Sequence, residues 1–265
     1  MPAGVRRIDR KEDNIADMRP ERVCFLHVPK CAGRSIRTAL ADALSVSGVP
    51  EPQWVRLNAQ ASAIAADLLG EDLFQLRDSL LVYSLGHKTA RFVSGHFRFV
   101  PGVFDVFARD WTFVTLLREP VARFVSEYYF NRFKASDHCR IHEGLGEFVQ
   151  TKRARQMGEK YVRLFAGPAF AHAGGDDPGA IAQAAANLGR FQVVGLFEDL
   201  PGFVRRLESD LGVRLSLRHL NHSPRPAGIL EEELTTELTE EIRVLCAPSQ
   251  AVYAEACRLN CARGR

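Results

Sequence analysis

The sequence predicts an α/β protein built on a central, largely parallel β-sheet flanked by helices. Three observations predict it. Short apolar runs rich in β-branched and aromatic residues recur along the chain: RVCFLHV (22–28), WTFVTLLR (111–118) and FQVVGLFEDL (191–200). Each is followed by a turn and then by residues with helical periodicity, the alternation that produces parallel sheets with helices on their faces. The length, 265 residues, is ample for a buried core.

The elements follow in order. Residues 1–20 are polar and read as a tail, with a single domain over 21–265. The run 22–28 is nearly continuous in apolar residues, as a strand buried on both faces must be. In SIRTALADAL, Ile36, Leu40, Ala43 and Leu44 fall on one helical face, and Ser47-Gly48-Val49-Pro50 ends that helix. Helices are expected in QASAIAADLL (60–69) and near LFQLRDSLL (73–81). RFVSGHFRFV (91–100) reads as a strand leading into a loop. After the strand 111–118, Glu119-Pro120 opens a helix, with Pro in its first turn and Val121, Phe124, Val125 and Tyr128 as its apolar stripe. Ser126 falls on the opposite face. EKYVRLFAG is a short helix, AHAGGDDPG (171–179) a loop, and AIAQAAANLGRF a helix closed by Gly189. PGFVRRLESDLG is amphipathic and stops at Gly212. A basic, Pro-containing loop (217–228) precedes two last helical stretches. The acidic start of EEELTTELTEEIRVLC suits a helix N-terminus.

Composition narrows the function classes. The chain is 46% hydrophobic and 25% charged, ordinary for a globular protein. Its 35 basic and 32 acidic side chains leave a net charge of +3, which argues against a general nucleic-acid binder. No N-terminal apolar leader or membrane-length apolar run is present. Six cysteines lack any CxxC pairing. Cys24 lies in a strand pattern and reads as core, and Cys257 and Cys261 lack further ligands at metal-site spacing. A cytoplasmic protein with reduced thiols and no metal is expected.

The stretch FLHVPKCAGRSI (25–36) is a strand, a tight loop and a helix start, an arrangement suited to an anion. Gly33 allows close backbone approach, Lys30 adds a charge, and Arg34 and Ser35 add donors. It is not the GxxxxGK[ST] loop of nucleotide triphosphatases, because the Lys precedes the Gly. In LLREPVARFVSEYYF (116–130), Arg118 stands at a second strand end, where a guanidinium binds phosphate bidentately. Two such junctions side by side would hold a ligand with two separated anionic groups.

These segments resemble those of a known family. FLHVPKCAGRS is similar to the 5′-phosphosulfate-binding segment of sulfotransferases that use 3′-phosphoadenosine 5′-phosphosulfate (PAPS), and LLREPVARFVSEYYF to their 3′-phosphate-binding segment. The nearest branch is that of carbohydrate sulfotransferases related to the heparan sulfate 2-O- and 6-O-sulfotransferases, which read roughly VPKTGGTS and RDPVERFLSEYYY there. SGHFRF, EKYVRLFAG and VVGLFEDL also resemble this branch, so the likeness spans about residues 22–225. Cys31 and Arg34 stand where the branch usually has Thr.

The resemblance implies a P-loop nucleotide-kinase-like sulfotransferase fold, and an enzyme moving a sulfuryl group from PAPS to a hydroxyl on a carbohydrate or glycolipid. It implies that Lys30 neutralises the leaving 5′-phosphate, and that Ala32, Gly33 and Arg34, with Ser35, hold that phosphate. Arg118 and Ser126 would hold the 3′-phosphate, and His96 would be the general base. The missing leader and anchor suit a cytoplasmic, bacterial-type member. Two other readings stand beside it: a nucleotide-dependent phosphotransferase, and an inactive nucleotide-binding relative.

Several residues stay open. His27 reads as a packed strand histidine. His87 and Lys88 are acceptor-side candidates, and Arg98 points either into the cleft or to solvent. His138, Cys139 and His142 read as a solvated loop. Arg218, His219, His222 and Arg225 belong either to a lid over the cofactor or to a charged surface loop.

Overall fold

A computed structural model describes residues 22–45, 53–218 and 224–263. The chain runs β1 (Val23–Leu26), α1 (Gly33–Leu44), β2 (Trp54–Leu57), α2 (Ala59–Leu69), α3 (Leu73–Gly86), β3 (Phe92–Gly95), α4 (Pro101–Phe107), β4 (Thr112–Leu117) and α5 (Pro120–Phe133). It continues through α6 (Leu145–Phe148), α7 (Lys152–Gly158), α8 (Lys160–Phe165), α9 (Pro178–Leu188), β5 (Val193–Leu196), α10 (Leu200–Leu211), α11 (Ile229–Glu233) and α12 (Thr236–Arg263). The tail 1–20 and the turn Ser47–Pro50 lie outside the described residues.

The strands form one five-stranded sheet in the order β2-β3-β1-β4-β5, every pair parallel. This bears out the α/β reading. β1, at the centre, is wholly buried, because helices cover both faces of a parallel sheet. From β1 the chain leaves toward the β3 and β2 edge, and from β4 toward β5. β1 and β4 are therefore neighbours whose connections run in opposite directions. Crevices form at such switch points, beyond the carboxyl ends of the strands.

Burial explains the helices. α1 buries Ile36, Leu40 and Leu44 of the predicted apolar face, with Ala39 buried beside them and Ala43 only half-buried. Asn58 and Asp72 cap α2 and α3 with their side chains. Gly212 ends α10 in the left-handed conformation (φ 62°), as the sequence suggested. Gly189 ends α9 but stays right-handed. Four elements escaped the sequence reading: β2, α4, α6 and α7. The acidic C-terminal stretch is divided, Leu234 and Thr235 separating α11 from α12.

One hydrophobic cluster surrounds the sheet. A second joins the inner face of α5 to α6, α7 and the first half of α12, through Phe124, Tyr128, Phe148, Met157, Ile242 and Cys246. All six cysteines are free thiols, and Cys24 is buried as expected. No helix among the described residues is long and apolar enough to cross a membrane.

Candidate functional site

The loop between β1 and α1 is held in an uncommon backbone conformation. Lys30 (φ 66°) and Ala32 (φ 53°) are both left-handed, which costs a residue with a Cβ roughly 1–2 kcal/mol. Ala32 is followed directly by the right-handed first residue of α1, a sequence that turns successive N–H groups to one side and makes a concave anion seat. No side chain caps α1. The N–H groups of Ser35 and Ile36 donate to the Ala32 carbonyl (3.0 and 3.3 Å). Those of Ala32, Gly33 and Arg34 have no partner among the described residues. The positive end of a twelve-residue helix thus opens onto the loop.

The second junction differs. The Glu119 carboxylate accepts from Val121 N (3.1 Å) and Ala122 N (2.7 Å), closing the start of α5. An anion there meets the Arg118 side chain and not the helix end. Arg118 Nη1 donates to the Lys30 carbonyl (3.4 Å), so the two cations come together from adjacent strands. The Arg118 guanidinium also stacks 4.6 Å from the Phe197 ring centre. Tyr161 pins the junction: Arg118 N donates to its hydroxyl (2.9 Å), which in turn donates to the Arg118 carbonyl. Lys30 Nζ lies 3.8 Å over the Phe130 ring. Burial pushes its pKa down to about 8, Arg118 pushes the same way, and Glu127 opposes them.

His96 follows β3 by one residue. His27 N donates to the Gly95 carbonyl (3.0 Å), extending the β1–β3 ladder by one step. The His27 carbonyl lies 2.6 Å from His96 Nδ1. A carbonyl only accepts, so Nδ1 carries the proton and Nε2 presents its lone pair. Burial lowers the His96 pKa, the carbonyl bond partly offsets this, and Arg77 and Lys160 lower it further. The ring of His27 packs 4.5 Å from that of His96, so the packed histidine expected at 27 is observed. Its pKa is held well below the usual value, first by burial and then by His96, Arg37 and Arg56.

Gly33 has a different reason for lacking a side chain from the one its motif suggested. A Cβ at this position would stand 1.9 Å from the His27 ring. The glycine makes room for that imidazole beneath the first turn of α1.

Behind Lys30 lies a buried charged cluster that the sequence reading missed. Arg123 is completely buried, not on the polar face of α5. Its guanidinium donates to Glu127 and to the Met157 carbonyl, and Lys160 Nζ lies 3.8 Å from the same carboxylate. Burial raises the Glu127 carboxyl, but Lys160 and Arg123 outweigh it and hold it below its ordinary value. Glu127 raises Lys160 in return, while burial with Arg123 and Arg163 brings the net shift down. Cys31 packs here too. Burial pushes its thiol up to about 12, against Arg123 and Tyr161, so it is a neutral packing group. The only sequence signal for the cluster was the i,i+4 spacing of Arg123 and Glu127.

Other expected residues are distributed as follows. Ser35 is half-buried in the first turn of α1, and Ser126 half-buried on α5. Arg34 is exposed and lines a pocket with Arg37, Arg56 and Ser94. His87 caps the end of α3, before β3, at the opposite end of the sheet from His96, and Lys88 is beside it. Arg98 takes neither course considered for it: it is buried and paired with Asp78 (2.6 Å). His138, Cys139 and His142 are exposed, and no cluster of metal-ligating side chains occurs among the described residues. Arg218 and Arg225 are exposed, while His219 and His222 lie outside the described residues.

The structure thus brings Lys30, the open start of α1, Arg118 and His96 to the carboxyl ends of three adjacent strands. Compared with protein-family models and with curated proteins, the chain has no significant match.

Proposed function

We propose that this protein is a sulfotransferase that uses PAPS as donor and a hydroxyl, on a carbohydrate or glycolipid, as acceptor. The observation that carries the reading is that Lys30, Arg118 and His96 all stand just beyond the ends of the adjacent strands β1, β4 and β3, with Arg118 bonded to the Lys30 carbonyl and the His96 proton held on Nδ1. A loop with free N–H groups after the central strand, at the β1/β4 switch point, supports the P-loop nucleotide-kinase-like sulfotransferase fold. The choice of donor and acceptor class rests on the likeness of residues 22–225 to the carbohydrate branch.

The residues present suit such a donor. Three unpartnered main-chain N–H groups and Lys30 form a seat for a phosphosulfate, and Arg118 offers a fork for a second phosphate. PAPS supplies the sulfuryl group and departs as adenosine 3′,5′-bisphosphate. His96 Nε2 takes the proton of the acceptor hydroxyl as its oxygen bonds to sulfur. Lys30 and the α1 N–H groups stabilise the charge left on the departing phosphate as the bridging S–O bond breaks. Glu127, held ionised by Arg123 and Lys160, keeps a compensating charge near Lys30.

Thermal unfolding and sulfate transfer test this. Adenosine 3′,5′-bisphosphate raises Tm, and magnesium-ATP does not; the reverse would favour a phosphotransferase. Labelled sulfate passes from PAPS to a member of a saccharide and glycolipid panel. His96→Ala lowers that rate about 10²–10⁴-fold and spares bisphosphate binding. Bisphosphate binding with no transfer to any acceptor would favour an inactive relative.

A further inference from the structure

A second basic pocket is lined by the histidine pair and not by Lys30. Arg56 on β2 and Ser94 on β3 are register partners, so their side chains share one face of the sheet. Arg34 and Arg37, three apart in the first turn of α1, close over them, with His27 and His96 as the remaining wall. The pocket is open, with a cavity volume of about 220 Å³.

Two independent features point to a ligand here. Ser94 is completely buried, yet its hydroxyl has no partner among the described residues. Buried hydroxyls are nearly always hydrogen-bonded. Second, three guanidiniums gather without a carboxylate: none of Arg34, Arg37 and Arg56 forms an ion pair among the described residues. Their mutual repulsion is felt, since burial, then Arg56, then Arg34 lower the Arg37 pKa. Nothing in the cofactor reading uses these groups beyond the main chain of Arg34.

We propose that this pocket is an anchoring site for a phosphomonoester carried by the acceptor. The assignment rests on the sulfotransferase reading and narrows its acceptor to a phosphorylated one. A dianion best balances three unpaired guanidiniums, and tetrahedral oxygens can take forked Arg donors and the Ser94 hydroxyl together. A carboxylate, with one charge and two oxygens, satisfies fewer of them. His96 lines the same pocket, so a hydroxyl near the anchored phosphate stands beside the base.

The test uses inorganic phosphate and adenosine 3′,5′-bisphosphate as calorimetric probes of the full chain. With bisphosphate saturating, phosphate still binds, and Arg56→Gln weakens that binding at least about tenfold while leaving bisphosphate affinity unchanged. Ser94→Ala is the second variant: it keeps the fold and also weakens phosphate. In transfer assays, glucose 6-phosphate shows a lower KM than glucose, and Arg56→Gln removes the difference. The proposal is overturned if bisphosphate displaces all bound phosphate, if both variants leave phosphate binding unchanged, or if the two sugars react alike, which would mark a site for free anions. Arg56-dependent phosphate binding without bisphosphate binding would sink the cofactor reading, and with it the acceptor assignment, leaving an anion site alone. Bisphosphate binding without phosphate binding would sink only the anchor.

Discussion

Lys30 and His96 are both pushed by burial toward their neutral forms, and this has a sign in pH. Lys30 falls from 10.5 to about 8. Between those values the unfolded chain holds a proton that the folded chain has lost, so stability rises with pH across that window. Anion binding moves the other way, because it needs the charged ammonium. Bisphosphate affinity therefore declines as pH rises through about 8, and Lys30→Arg, whose charge persists above ~12, removes the decline in a calorimetric pH series. His96 is lowered from 6.5. Below that value the unfolded chain takes a proton first, so its contribution to stability is lost on acidification, and the acid limb of kcat/KM lies below ~6.5. Gly33 gives a second test at this scale. Gly33→Ala drives a methyl into the His27 ring and costs about 1–3 kcal/mol, as overpacking does. A lower urea midpoint at constant slope reports it, and an unchanged midpoint would mean that the ring moves aside freely.

α5 shows what a helix can hide from its sequence. Its apolar stripe was legible in Phe124, Val125 and Tyr128, all of them buried. Arg123 was not, because Arg and Glu four residues apart are the usual signature of a solvated helix surface. Here the pair is internal, and its partners come from α7 and α8, far along the chain. Removing one member of a buried pair strands the other, so Glu127→Ala is expected to cost about 3–5 kcal/mol. A loss below 1 kcal/mol in denaturant unfolding would show instead that the pair behaves as a surface one. β2 escaped notice for the opposite reason. It is an edge strand with a single buried residue, Leu57, so its sequence carries neither an apolar run nor clean alternation. Its place is set by pairing with β3.

At the scale of the molecule, strands that carry buried runs announced themselves, and so did the charged residues just beyond their ends. Lys30 and Arg118 were found because a parallel sheet exposes its carboxyl edge to ligands, and His96 only through the family resemblance of its segment. The support for that edge was not legible, since it comes from a helix more than a hundred residues away. Tyr253 on α12 donates to Glu198 (2.8 Å), and Glu198 accepts from Glu119 N (2.9 Å), beside Arg118. Ser249, one turn earlier, accepts from Tyr161 N (3.2 Å), the residue that grips Arg118. Tyr253→Phe removes a bond to a charged group, expected to cost about 1.5–3 kcal/mol. Bisphosphate affinity should fall with it, although Tyr253 is not among the residues assigned to the ligand. Unchanged affinity in a destabilised variant would show that α12 supports the fold alone.

The proton on His96 is directed by the main chain of β1, through the His27 carbonyl. The address of that proton is thus written in strand alignment and not in any neighbouring side chain. Substituting His27 changes the ring beside the base but leaves the carbonyl in place. Sliding β3 by one residue against β1 would instead turn every side chain on it to the other face and carry His96 off its acceptor. Whatever preserves the pairing of Leu26 with Gly95 preserves the tautomer, so the acid–base competence of this edge is inherited from the ladder as a whole.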